Sequence, residues 1–344
     1  MKHIVEEFEE IIYESALWNF YFDGMKVGVL DIETTGLNPS RNKFVLGCIY
    51  DVQSHKLHQI LAQSRAEEMQ SLAEYIKLID NLDVVLTYNG RHFDIPFIQK
   101  RMEVSRNAVN YIMRGSEDCF LPYNLDLYLV LNGYSPIKKL VPNMKQKTIE
   151  NYMGFWMNRA DEISGAESVD LFNHYEATGD EEAEKKILLH NNDDVRQLTK
   201  LSKAVIKSDF HKAMFALGFP VRNLIIRKIR LERDALEIKG LQRVKAMNGV
   251  SPIDYMGYSF GDYPTVSRFR KDTADFLLRL PIIRQSGMAL ADIRAAGLDE
   301  EEFGMYPSCG SGFLILEDGN GIRHMETNHL IKAFIEKFID FELN

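Results

Sequence analysis

The hydrophobic pattern at the start of the chain repeats at helical spacing. Ile4, Phe8, Ile11, Ile12 and Trp18 recur at intervals that line one side of a helix. The pattern therefore predicts an amphipathic N-terminal helix within residues 1–22.

Three short aliphatic runs come next, and turn-forming residues bound each of them. They predict strands over residues 26–33, 44–52 and 57–61. Because only short polar links join these runs, we expect an antiparallel meander.

Helical and strand patterns then alternate along the chain. Apolar residues at helical spacing predict helices over residues 65–80, 94–102, 147–153 and 181–206, with a strand over residues 83–88. This order is typical of an α/β fold in which helices flank a mixed β-sheet.

The pattern changes after Leu217-Gly218-Phe219-Pro220. Residues 221–244 read as two strands around Arg233-Asp234, and residues 313–325 as a hairpin closed at Asp318-Gly319-Asn320-Gly321. An amphipathic helix over residues 327–341 completes this part. The sequence thus predicts an α/β domain over residues 23–208 and a β-rich α+β accessory domain over residues 209–344.

The distribution of charge changes how its total is interpreted. The net charge is −9, and residues 1–205 carry all of it, with 22 Lys and Arg against 31 Asp and Glu. Residues 222–245 hold eight basic and three acidic side chains, a local charge of +5. This favours a local phosphate-binding track over broad coating of nucleic acid.

Targeting and cysteine signals are weak. Five glutamates within the first twenty residues argue against a signal peptide, and the longest apolar runs have strand length. Cys48, Cys119 and Cys309 lie far apart, so no zinc or disulfide framework is indicated. We expect a cytoplasmic protein that does not interact with membranes.

Candidate chemistry begins at the end of the first predicted internal strand, in Asp31-Ile32-Glu33. Side chains alternate along a strand, so Asp31 and Glu33 share a face. Two adjacent carboxylates repel each other, and a hard divalent cation such as Mg²⁺ or Mn²⁺ would relieve that repulsion. The alternative is that both are exposed acids at the end of a strand.

A second acid, Asp94, follows the strand that ends at Asn89-Gly90. The ends of strands in α/β sheets are where ligands bind, so Asp94 is a candidate metal ligand. It also stands where a helix N-cap is expected.

A third acid, Asp194, lies on the long helix one turn after His190. The pair shares a helix face, so a metal ligand and a proton acceptor can adjoin each other. A solvated helix face is the alternative. Asp193 lies about 100° away around the helix and is the poorer ligand candidate.

Together, DIETTGL at residue 31, YNGRHFD at residue 88 and HNNDDV at residue 190 resemble the three motifs of the DEDD group of 3′-to-5′ exonucleases. The similarity is greatest to the YprB-type ribonuclease-H-like family. In that family the segment before the third motif, here Lys147–Gly154 followed by Arg159, also matches. The resemblance covers residues 25–205.

The resemblance implies a ribonuclease-H-like domain with two Mg²⁺ or Mn²⁺ ions bound by Asp31, Glu33, Asp94 and Asp194. It also implies hydrolysis of phosphodiester bonds at single-stranded DNA or RNA ends. His190 would accept a proton from the attacking water or orient it. Thr34, Asn89 and His92 are expected to position the substrate.

His190 departs from the pattern of this group. DEDD enzymes carry a tyrosine four residues before the last aspartate or a histidine five before it, and His190 stands four before Asp194. Metal binding and turnover are therefore separate expectations. The alternative function is a nucleic-acid-binding or regulatory protein that keeps the fold with little or no cleavage.

Two further features are interpreted mainly as structural. Asp126 is expected to be a strand-end or capping acid. Five aromatic residues near the basic segment could stack on bases or belong to the core, and the core is the favoured interpretation: Tyr255, Tyr258, Phe260, Tyr263 and Phe269.

Overall fold

The computed structural model describes residues 1–105, 122–155, 159–160, 163–243, 253–258 and 265–342. Within these residues the chain forms two compact units, the first ending at Ser208 and the second beginning at Asp209.

A six-stranded mixed sheet forms the centre of the first unit. Its strands are β1 Lys2–Glu7, β2 Val27–Thr34, β3 Phe44–Asp51, β4 Lys56–Leu61, β5 Val84–Thr87 and β6 Tyr123–Asp126, in the order β1-β4-β3-β2-β5-β6. The pairs β2–β3 and β3–β4 are antiparallel, which confirms the predicted meander, and β1 pairs antiparallel with β4. The pairs β2–β5 and β5–β6 are parallel.

Helices flank this sheet, as the predicted fold class requires. They are α1 Ala16–Phe22, α2 Glu68–Asp80, α3 Asp94–Ser105, α4 Leu127–Tyr134, α5 Gln146–Met153, α6 Gly165–Thr178 and α7 Glu181–Leu201. Short 3₁₀ helices occupy Arg65–Glu67, Pro136–Lys139 and Ser202–Lys207. Phe172 of α6 and Ile187 of α7 pack against Val45, Leu46 and Leu61 of the sheet, so a shared apolar core fixes α7 on β3.

The N-terminal segment corrects one prediction. Residues 2–7 form β1, which pairs with β4, and the helix comprises only Ala16–Phe22. Ile11, which the helical pattern placed on the buried face, is 68% exposed. The ladder to β4 satisfies the backbone of residues 2–7 and so overrides the local helical spacing.

The second unit is rich in β-structure. Its larger sheet contains β7 Pro220–Val221, β8 Leu224–Leu231, β9 Ala235–Gln242, β10 Tyr255–Tyr258, β11 Val266–Phe269 and β12 Asp275–Pro281, all antiparallel, in the order β10-β11-β12-β9-β8-β7. A smaller sheet contains β13 Ile283–Gln285, β14 Met288–Asp292, β15 Phe313–Asp318 and β16 Gly321–Ile322. The helical elements are α8 Phe210–Leu217, a 3₁₀ turn Pro307–Ser311 and α9 His324–Glu342. The predicted hairpin at residues 318–321 is confirmed as β15–β16.

Aromatic packing forms the core of the second unit. The Phe269 ring stacks on Phe276 and on Phe338 of α9, with centroids 5.6 and 5.4 Å away. Tyr255 meets Phe338 edge to face at 5.4 Å. The core interpretation is therefore confirmed for Tyr255 and Phe269. Phe260, Tyr263 and the side chain of Tyr258 lie outside the described residues.

Candidate metal centre

The C-terminal half of β2 carries the first two acids. Asp31 and Glu33 alternate with the buried Leu30 and Ile32, which are 1% and 4% exposed. Glu33 is itself 9% exposed and Asp31 is half-buried. The buried side chains of Leu30 and Ile32 fix β2 in the core, so the carboxylates of Asp31 and Glu33 are held at the margin of that core.

The start of α3 is tied to β2 through Asp94. This residue is 4% exposed, and its Oδ1 accepts a hydrogen bond from the Ile32 backbone N–H at 3.3 Å. Because Ile32 lies between Asp31 and Glu33, Asp94 is brought beside both acids.

Helix α7 supplies the other side of the cluster. His190 Nε2 lies 3.5 Å from Glu33 Oε1 and 3.7 Å from Asp194 Oδ2. One ligand atom from each of these three residues lies within 4.8 Å of the other two. His190 is therefore positioned as a candidate ligand, a role that the sequence pattern does not assign to it.

Asn191 is a contact that sequence reasoning missed. It is fully buried, and its Nδ2 donates to Asp31 Oδ2 at 2.6 Å. The position of Asn191 directly after His190 is the only sequence feature that points to a role for it. The spacing of residues along the helix does not predict a hydrogen bond to β2. The hydrogen bond fixes which way one oxygen of Asp31 faces.

Two of the clustered acids, Asp31 and Asp94, have raised pKa values. Burial raises the pKa of Asp31 well above its ordinary value, and the charges of Asp194, Asp94 and Glu33 raise it further. Burial also raises the pKa of Asp94 to about 7, with added repulsion from Asp126 and Glu33. Crowded carboxylates with raised pKa values are a donor set that fits a hard divalent cation, which would stabilise their charged forms.

Arg159 balances part of this negative charge. Its Nη2 lies 2.6 Å from Asp194 Oδ1 and 2.8 Å from Oε1 of the fully buried Glu150. Burial lowers the pKa of Arg159, but the hydrogen bonds to Glu150 and the charge of Asp194 outweigh that effect and raise it. Gln146 Nε2 completes the network, donating to Glu150 Oε1 and to the Asp194 carbonyl, both at 3.0 Å.

The three predicted substrate-binding residues occupy two places. Asn89 has a left-handed backbone, with φ of 66°, and its Oδ1 lies 3.2 Å from Nδ1 of the exposed His92. Thr34 is buried, and its hydroxyl donates to the Gly36 carbonyl at 2.8 Å within the turn after β2.

Asp126 caps α4, as expected, by accepting from the Leu129 N–H at 3.4 Å. It also accepts from the backbone N–H groups of Asn89 and Arg91 at 2.9 and 3.0 Å. It therefore holds the turn that leads to Asp94.

Asp193 is engaged away from the cluster. It is 4% exposed and accepts a hydrogen bond from the Ala160 N–H at 2.6 Å. It contributes no atom to the set formed by Glu33, His190 and Asp194.

Several known proteins are similar to this chain. An uncharacterized protein of Methanocaldococcus jannaschii is 25% identical over 195 residues, which span 53% of this chain and 96% of that protein. The family B DNA polymerase of Pyrobaculum calidifontis superposes with a TM-score of 0.41 at 19% identity, covering 53% of this chain and 24% of the polymerase. This chain thus matches about a quarter of the polymerase's length. Exonuclease I of E. coli, in complex with a dT13 oligonucleotide, superposes with a TM-score of 0.37 at 11% identity, covering 93% and 71% of the two chains.

A profile of the RNase_H superfamily matches residues 29–206, just over half of the 344 residues. The matched range includes α3, α7 and the part of β2 that carries Asp31 and Glu33. The chain therefore belongs to the RNase_H superfamily.

Proposed function

We propose that this protein is a metal-dependent 3′-to-5′ exonuclease of the DEDD group, within the YprB-type family. It hydrolyses phosphodiester bonds at single-stranded DNA or RNA ends and uses two Mg²⁺ or Mn²⁺ ions. The observation that carries the proposal is the meeting of Asp94 and Asp194 with Asp31 and Glu33 at the end of β2.

Asp31, Glu33, Asp94 and Asp194 would hold the ions. Bound divalent ions at such a site supply an activated water and stabilise the leaving oxygen. The Asn191 amide orients Asp31, and the Ile32 N–H orients Asp94. These two bonds prepare the carboxylates before a cation arrives, which reduces the cost of ordering them.

His190 has two roles open to it, and its Nε2 serves only one at a time. As proposed from the sequence, it accepts the proton of the attacking water or holds that water. Its place between Glu33 and Asp194 also suits metal ligation. A His190→Leu variant separates the two, because it offers no ligand atom and loses Mn²⁺ affinity only if His190 is a ligand.

Asn89 and His92, on the turn between β5 and α3, would contact the substrate strand, and Thr34, the last residue of β2, would help to position it through the turn that follows. The exposed imidazole of His92 is available to a phosphate, whereas Thr34 contributes by shaping its turn.

The rival function is nucleic-acid binding without turnover. Two observations favour it: the unusual spacing of His190, and the Arg159 guanidinium on Asp194, which places a positive charge beside a proposed metal ligand. It predicts salt-sensitive strand binding and no cleavage with any divalent metal.

The test follows the shortening of 5′-labelled single-stranded DNA and RNA with Mg²⁺ or Mn²⁺. Wild type should shorten linear strands from the 3′ end and leave circular strands intact. Asp31→Asn should lose at least about a hundredfold in rate, since it removes one carboxylate of the set. The matched control is Asp170→Asn, which changes an exposed aspartate of α6 and should keep full activity. Equal background shortening of the strands by wild type and Asp31→Asn would exclude the nuclease and leave the rival.

A further inference from the structure

The second unit has a strong internal division of charge. Residues 209–285 contain 14 Lys and Arg against 8 Asp and Glu, a net charge of +6. Residues 286–344 contain 4 against 11, a net charge of −7. The net charge of the whole second unit is therefore near zero, although the part of it that contains the larger sheet is strongly basic.

Strand register gathers the basic residues on one face of that sheet. Cα partners run Arg268, Leu277, Lys239, Lys228 in one row across β11, β12, β9 and β8. The adjacent row runs Val266, Arg279, Glu237, Arg230 across the same strands. Directly paired residues share a face, and so do residues two apart on a strand. We call these eight positions the basic face, with five cationic side chains and one anionic one.

The opposite face of the sheet is the buried one. Phe276, Leu278 and Ile238 alternate with the residues of the basic face and are at most 1% exposed. The Phe269 ring on that side stacks on α9. By contrast, the side chains of Arg279, Lys239 and Arg230 are 39%, 44% and 52% exposed. The basic face therefore presents its charges to solvent.

Neighbouring acids neutralise these charges only in part. Lys239 pairs with Glu237 at 2.7 Å, Arg279 with Asp234 at 3.3 Å and Arg230 with Glu232 at 3.9 Å. Such exposed pairs are weak and exchange readily with another anion. Arg268 and Lys228, three strands apart, form no ion pair with any described residue. The Nε atoms of Arg268 and Arg279 are buried and have no hydrogen-bond partner among the described atoms.

We propose that the basic face binds the sugar–phosphate backbone of a nucleic-acid strand without reading its sequence. Cationic side chains in rows across a sheet match a line of phosphates, and phosphate contacts carry no sequence information. The choice of nucleic acid as the polyanion rests on the proposed function. The face itself needs neither bound metal nor turnover.

Binding of labelled single-stranded oligonucleotides to the full chain, in EDTA and between about 50 and 200 mM salt, tests this inference. The variant is Lys228→Gln/Arg230→Gln/Lys239→Gln. We expect its affinity to fall at least about tenfold at low salt, and its log–log salt slope to shrink by about 2, since each lost phosphate contact contributes about 0.7. Several unrelated sequences should lose affinity alike.

The matched control is Lys56→Gln/Lys138→Gln/Lys139→Gln, which removes the same charge from exposed lysines of the first unit. It should bind within about twofold of wild type, because exposed charges away from the contact are largely screened. The charge-keeping variant Lys228→Arg/Arg230→Lys/Lys239→Arg should bind like wild type, which excludes misfolding as the cause of a loss.

Unchanged affinity and slope in the glutamine variant would overturn the inference, and so would an equal loss in the control. Binding to vesicles of anionic phospholipid but not to oligonucleotides would overturn the choice of partner. The proposed nuclease function is tested separately, by measuring cleavage of the strands. A protein that cleaves but is insensitive to the glutamine variant refutes the basic face alone, and one that binds through the face without cleaving refutes the nuclease alone.

Discussion

At the scale of single residues, the candidate metal centre is a group of acids that the folded chain holds together against their repulsion. The pKa of Asp94 is raised from 3.8 to about 7. The folded state therefore binds a proton that the unfolded state has released between these values, and the metal-free protein should lose stability as pH rises from about 4 to 7.

We expect the Tm of the metal-free protein to fall between pH 5 and pH 8 by more in wild type than in Asp94→Asn, which has no charge to gain at this position. Mn²⁺ should raise the Tm of wild type more at pH 8 than at pH 5, because protons compete for the same carboxylates. Thermal unfolding by circular dichroism measures both effects. If the Tm of the two proteins changed with pH in parallel, Asp94 would not be the source of the pH dependence.

Arg159 and Glu150 allow a second prediction at this scale. Their side chains are 7% and 0% exposed, so Arg159→Met would leave the Glu150 carboxylate buried without its main partner. We expect a loss of about 3–5 kcal/mol in the free energy of unfolding. Glu150→Gln/Arg159→Met should lose less, because it removes both charges, and urea unfolding of the set measures the difference. A double variant as unstable as the sum of its singles would show that the pair is not coupled.

Sequence motifs indicated the acids but not their supports. Asp31, Glu33, Asp94 and Asp194 stand at strand ends and on a helix face, and local periodicity predicts such positions. Asn191 reaches Asp31 from a residue 160 positions away, and no local pattern encodes that distance. The bond of Arg159 to Asp194 was unpredictable for the same reason, although Arg159 belongs to the segment that resembles the YprB-type family.

At the scale of elements, the packing of α2 on β3 links the core to the candidate metal centre. A Cβ at Gly47 of β3 would lie 2.6 Å from the ring of Tyr75 on α2. The Tyr75 hydroxyl donates to the carbonyls of Cys48 at 2.9 Å and of Asp31 at 3.3 Å. The absence of a side chain at residue 47 therefore lets Tyr75 hold the backbone of a proposed metal ligand.

Gly47→Ala should destabilise the protein by about 1–3 kcal/mol, since the buried Tyr75 ring has little room to move, and should also weaken Mn²⁺ binding. Tyr75→Phe keeps the ring and loses only the hydroxyl, so its cost should be smaller, about 1 kcal/mol. Urea unfolding and calorimetric Mn²⁺ titration measure the two effects. Wild-type stability in Gly47→Ala would show that the helix and sheet are not tightly packed there.

Elements with strong periodicity and short links were predictable, and elements defined by tertiary pairing were not. The meander of β2, β3 and β4 follows from its sequence. β6 has four residues, two of them Asn124 and Asp126, and becomes a strand through its parallel pairing with β5. The helical spacing of residues 4–12 misled because β4 offers β1 a ladder that local sequence does not reveal.

At the scale of the whole molecule, the mixed α/β unit and the β-rich unit differ in charge as well as in fold. The predicted ribonuclease-H-like class is confirmed by the sheet and by the superfamily profile. Assignment to the YprB-type family stays a prediction. Among the described residues, no helix combines the length and hydropathy that spanning a membrane requires.

The numbers of basic and acidic residues could be read from the sequence, but their arrangement on a surface could not. The basic character of residues 222–245 is visible in the sequence, but the rows of the basic face depend on register with β11 and β12. Arg268 and Arg279 join the face from strands well beyond the basic segment. Sequence reasoning therefore identified a charged segment, and the sheet converts it into a surface.

The central claim is that the four carboxylates at the end of β2 are a binding site for divalent ions. Anomalous diffraction from crystals soaked in Mn²⁺ tests it most directly. We predict two anomalous peaks coordinated by oxygens of Asp31, Glu33, Asp94 and Asp194. Crystals without any peak there, with Arg159 still paired to Asp194 at saturating Mn²⁺, would contradict it.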